Sequence, residues 1–60
     1  RGEVYLEFVP LGNMVKVSAV DATTGEEVSI AGPRNASRAE LERTALAKLR
    51  YVQRKNRTER

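Results

Sequence analysis

From position 3 to position 9 the side chains alternate, with Val4, Leu6 and Phe8 on one side and Tyr5, Glu7 and Val9 on the other. A period of two belongs to a strand with one buried face, so the pattern predicts a first strand over residues 3–9. Pro10-Leu11-Gly12-Asn13 then interrupts it with a residue lacking an N–H and two that tolerate positive φ, as a short connection to an antiparallel neighbour requires. Alternation resumes over residues 14–20, where Val15, Val17 and Ala19 face the expected core and Met14, Lys16, Ser18 and Val20 face outward. Asp21-Ala22-Thr23-Thr24-Gly25 has the composition of a type I turn closed by a left-handed glycine. A third strand follows over 27–31 with Val28 and Ile30 inward, and Gly32-Pro33 is expected to end it.

Beyond Pro33 the period changes. Leu41, Ala45, Leu49 and Val52 are spaced by four, four and three and share one helical stripe, while no Gly or Pro occurs after Pro33. Ser37 followed by Glu40 is the spacing of a capping box, in which each side chain satisfies a free backbone N–H of the other residue. The helix is predicted over 38–54, and the polar residues 56–60, with nothing to bury, are expected to be a disordered tail. The fold class is therefore α+β: one small domain, residues 1–60, in which a three-stranded antiparallel meander packs against a C-terminal helix.

Sixty residues bury only roughly 60% of their unfolded surface, so such a domain is held by a few kcal/mol unless something staples it. There is no cysteine and no histidine, which removes disulfides and Cys/His metal sites. Oligomerisation is the remaining source of stability, and a homo-oligomer is expected. The lack of an export signal or a long apolar run predicts a cytoplasmic setting with no membrane contact.

Charge divides the chain. Residues 1–31 carry five acids against Arg1 and Lys16, a net of −3, and residues 32–60 carry nine bases against three acids, a net of +6. The basic half is the helix, on which Arg43, Arg50, Arg54 and Arg57 fall within about 60° of one another, opposite the apolar stripe. Guanidinium groups bind phosphate and carboxylate through planar paired hydrogen bonds, so this row could meet nucleic acid or an acidic protein; otherwise it is a solvated face that complements its own helix dipole. Arg34 and Arg38 bracket the helix start, where free N–H groups also favour anions, although Glu40 competes for the same groups.

Leu46 lies on the outer side among Ala39, Arg43, Ala47 and Arg50, a pattern suited to a helix-to-helix contact between copies, or to simple exposure. Tyr5 and Val9 make the outer sheet face a second candidate for self-contact. No catalytic constellation is found: Ser18, Ser29 and Ser37 have no evident base, and the chain is too short to enclose a pocket of several hundred cubic ångströms. No enzyme activity, cofactor, metal or small-molecule substrate is expected.

The stretch from Val15 through Asp21, Thr24-Gly25-Glu26 and Gly32 into the helix resembles the β-β-β-α DNA-binding domain of phage and transposon integrases. That resemblance implies the strand order; it also implies a basic outer sheet face, where this chain has Glu7, Ser18, Glu27 and Ser29. Arg34 and Arg38 are similar to the basic start of the last helix of double-stranded-RNA-binding domains. Over Val4-Tyr5-Leu6-Glu7-Phe8-Val9, Val15-Lys16-Val17-Ser18-Ala19-Val20-Asp21, Glu27-Val28-Ser29-Ile30 and Leu46-Ala47-Lys48-Leu49-Arg50-Tyr51-Val52 the chain resembles a family of short proteins of unknown function seen chiefly in alphaproteobacteria. That resemblance implies a bacterial protein and brings no activity with it.

Overall fold

Strand β1 runs Val4–Leu11, β2 Met14–Asp21 and β3 Glu27–Pro33, and helix α1 follows at Arg38–Thr58. The computed structural model describes residues 2–58. The strands form one antiparallel sheet in the order β1-β2-β3, and the helix crosses one face of it. The helix-facing side is the one that the alternation predicted. Val17, Ala19, Val28, Leu41, Ala45 and Leu49 are buried, with Val4, Leu6, Phe8, Val15, Ile30, Ala36 and Val52 packed around them.

Each element is longer than its sequence pattern suggested. Pro10 was expected to stop β1 and Gly32-Pro33 to stop β3, yet all three lie inside strands. Hydrogen-bond parity explains both prolines. Ala22 N donates to Glu3 O, and Asp21 N donates to Glu26 O. With the registers Val4↔Asp21 and Val20↔Glu27, the residues that bond toward β2 are therefore the odd ones of β1 and the even ones of β3. Pro10 and Pro33 thus turn their missing N–H toward the outer edges, the place in a sheet where proline removes no ladder bond.

Gly32 is buried for a different reason: a Cβ there would come 2.6 Å from Leu41 Cδ2, so the bare backbone is what lets the helix start settle on β3. The first hairpin turns in two residues, Gly12-Asn13, with φ +60° at Gly12, a glycine in the first central position as type II′ turns require. The second turn has the expected left-handed Gly25, φ +81°, and Asp21 Oδ1 accepts from the amides of Thr23 and Thr24 at 2.8 and 3.2 Å.

Ser37 caps the helix as predicted, its Oγ accepting from Glu40 N at 3.0 Å. The tail expected from residue 56 is instead helical through Thr58, while Glu59 and Arg60 lie outside the described residues. Asn56 is held by the sheet end, which carries the helix past its last apolar contact at Val52.

Candidate functional site

The arginine row forms as the wheel predicted: Arg43, Arg50, Arg54 and Arg57 are all exposed on α1. Among the described residues none of the four guanidinium groups has a hydrogen-bond or ion-pair partner, so the row is available to solvent or to an anion. Arg34 and Arg38 do not join it. Arg34 Nη1 donates to Gly12 O at 3.2 Å, tying the loop before the helix to the first hairpin. The Arg38 guanidinium stacks over the Phe8 ring, 4.1 Å from its centroid. Both arginines that the sequence offered to an anion at the helix start are engaged within the fold.

Leu46 requires a correction. It is half-buried rather than exposed, beside Gly2 and Val4 at the flank of the helix, while its predicted companions Ala39 and Ala47 stay exposed. At about 100° from the centre of the core stripe it falls on the seam between helix and sheet. Tyr5 and Val9 keep their expected places on the uncovered sheet face, 60% and 36% exposed, and Leu11 and Met14 extend that apolar surface.

A polar clamp that no local pattern announces closes the far end of the sheet. Gln53 Nε2 donates to Asp21 Oδ2 at 2.7 Å and to Glu26 Oε1 at 2.9 Å, and Asn56 Nδ2 donates to Glu26 Oε2 at 3.0 Å. Asp21 ends β2 and bonds through its N–H to the carbonyl of Glu26, the residue before β3, while Gln53 and Asn56 are one turn apart on α1, so one pair of amides meets one pair of carboxylates. The Gln53 amide, then the Thr23 backbone N–H, hold the Asp21 carboxyl below its ordinary value. Asn56 first, then Gln53 and Thr24, do the same for Glu26 against the repulsion of Asp21. Both carboxylates are held in the ionised form by fixed donors, and the four side chains tie the end of the helix to the end of the sheet. Among the described residues no group of three or more acids could hold a metal ion, and no helix is long and apolar enough to cross a membrane.

The two sheet edges differ. On β3 the outward groups belong to Glu27, Ser29, Ala31 and Pro33; Pro33 has no donor, and Lys48 Nζ donates to Ser29 O at 2.9 Å. On β1 the outward groups belong to Val4, Leu6, Phe8 and Pro10, and among the described residues only Pro10 interrupts them. The side chains of Val4, Leu6 and Phe8 are only half-buried, because α1 lies mainly over β2 and β3. Depressions of about 270 Å³ flank this side at both ends, one lined by Val4 and Leu46, the other by Phe8 and Arg38. An open backbone edge and an incompletely covered apolar face therefore coincide on the same three residues. The alternation marked these three as core, and only the position of the helix leaves them partly uncovered.

No curated protein and no solved structure matches the chain. One family model does, over residues 1–56, and the chain belongs to that family, described as Domain of unknown function (DUF6898).

Proposed function

We propose that this chain is a non-enzymatic assembly module that self-associates. The observation that carries the reading is the coincidence at β1 of unpaired strand edge and half-buried Val4, Leu6 and Phe8. A small domain gains most from a partner where its own core is least covered, and an open strand edge is a ready template for one. The opposite edge, interrupted by Pro33 and capped by Lys48, favours a closed assembly over an open-ended one. A bacterial setting, following the resemblance of the sequence, and a cytoplasmic one, following the expectation from its lack of an export signal, belong to the same reading.

A second reading rests on a separate observation, the four exposed and unpartnered arginines of α1. They suit sequence-independent contact with a nucleic-acid backbone or an acidic protein. Docking of the integrase kind through the outer sheet face is not part of it, since Glu7 and Glu27 are exposed there.

Light scattering behind a sizing column, at low and high salt and with a short mixed-sequence duplex, separates the two. Self-association by apolar contact and backbone pairing keeps its mass in salt, whereas phosphate binding weakens steeply as salt rises. A monomer that grows only with duplex at low salt would replace the first reading by the second.

A further inference from the structure

The geometry points to one specific interface: a second copy of this chain adds its β1 antiparallel to the first, with Leu6 opposite Leu6 on the two-fold axis. The inference rests on the self-association reading and names its surface.

Three constraints select this arrangement. Parity comes first: Val4, Leu6 and Phe8 direct their N–H and C=O groups away from β2, so antiparallel pairing must set even residues opposite even residues. Centring on Leu6 places Val4 opposite Phe8 of the partner subunit, Leu6 opposite Leu6 of the partner subunit and Phe8 opposite Val4 of the partner subunit. All three open positions are then used at once, and Pro10, which has no donor, falls just beyond the ladder.

Charge is the second constraint. Centring on Tyr5 would set Glu3 opposite Glu7 of the partner subunit, and centring on Glu7 would set that residue against its own copy, both like-charge pairs. Centring on Leu6 sets Glu7 opposite Tyr5 of the partner subunit and Glu3 opposite Val9 of the partner subunit, with no carboxylates face to face. Among these three registers it alone is self-complementary.

Coverage is the third. A two-fold axis normal to the sheet keeps both helices on one face of a continuous six-stranded sheet, ordered β3-β2-β1-β1-β2-β3. The inward side chains of one β1 then cover the open flank of the other, where Val4, Leu6 and Phe8 are half-buried in the single chain. The new outer edges are both β3, already interrupted by Pro33 and occupied by Lys48, so the sheet stops at two copies.

The test is cross-linking between single-cysteine variants, on a chain that has no cysteine of its own. Tyr5 and Glu7 are exposed, so Tyr5→Cys and Glu7→Cys leave the core untouched. In the Leu6-centred register residue 5 faces residue 7 of the partner subunit as a non-hydrogen-bonded pair, with Cα atoms about 4.5 Å apart, within the roughly 4.4–6.8 Å that a disulfide spans. An equimolar mixture under mild oxidation should form the mixed 5–7 disulfide several-fold faster than either variant forms its own.

Faster self-linking of Tyr5→Cys would place the axis on residue 5, and faster self-linking of Glu7→Cys on residue 7; either overturns the register. No cross-link although scattering shows a dimer overturns the β1 interface and leaves self-association standing. A monomer at every concentration from about 10 µM to about 1 mM, the range where small interfaces titrate, overturns both.

Discussion

Lys48 reaches from α1 to the outer edge of β3 and places its ammonium 2.9 Å from the Ser29 carbonyl, an acceptor that points away from the rest of the sheet. The bond uses an edge group that another strand would otherwise take, and it puts a positive charge beside it. With Pro33 two positions later in the outward series, β3 is poorly suited to pairing, and the contrast with β1 gives the molecule one open edge and one blunt one.

Removing the blunt edge should change the assembly more than the stability. Lys48→Ala loses one exposed charge-assisted hydrogen bond, worth at most about 1 kcal/mol at the surface. In the proposed dimer both outer edges are β3, so unguarding it opens the sheet at both ends. The variant is expected to show species heavier than a dimer by light scattering as concentration rises, with its melting temperature within a few degrees of the wild type.

The clamp makes stability pH-dependent in a defined direction. Asp21 and Glu26 are held below their ordinary values of 3.8 and 4.5 by Gln53, Asn56 and nearby hydroxyl and backbone donors. A carboxyl with a depressed folded value contributes stability that is present above its unfolded value and is lost as pH falls through the folded one. The melting temperature is therefore expected to be flat from neutral pH to about 5 and to drop below about 4.5. Gln53→Ala should melt lower than the wild type at pH 7 and approach it near pH 3, as followed by circular dichroism; a constant difference across pH would remove the clamp from the account.

The core is small enough for one truncation to decide the fold. Leu49 is 2% exposed and sits at the centre of the helix stripe. Leu49→Ala removes about 2–5 kcal/mol, against a total of roughly 3–9 kcal/mol for a domain of this size. Most of the variant is expected to be unfolded or melting near room temperature by circular dichroism. Gly32→Val tests a tighter spot: with Leu41 Cδ2 2.6 Å from any Cβ, it should cost about 1–3 kcal/mol, read as a shift in the urea midpoint.

Replacing Arg43, Arg50, Arg54 and Arg57 together by glutamine should leave folding nearly untouched, since the four are exposed and unpartnered among the described residues. Self-association should also persist. A duplex-binding signal lost in this variant, with a shallower salt dependence for each single substitution, would credit the row with phosphate contact.

Strand alternation and the Ser37 cap were legible because each depends on neighbours in sequence, and the inward residues from Val4 to Ile30 lie where the period of two put them. The prolines were read as breakers because local chemistry does not say on which side of a strand a missing N–H will fall; that depends on the register with β2. Leu46 went from exposed to half-buried because its role depends on where the helix sits across the sheet, which leaves β1 only partly covered. The clamp was invisible because Asp21 and Gln53 are 32 residues apart, and neither carries a local signal of the other.

The most direct measurement is amide hydrogen exchange by nuclear magnetic resonance on the unaltered chain at low and high concentration. The amides of Val4, Leu6 and Phe8 point to the open edge of β1, and those of Glu27, Ser29 and Ala31 to the outer edge of β3. The account predicts that exchange at Val4, Leu6 and Phe8 slows with concentration, while at Glu27, Ser29 and Ala31 it does not change. Fast exchange at the three β1 amides in a sample whose mass has doubled would contradict it.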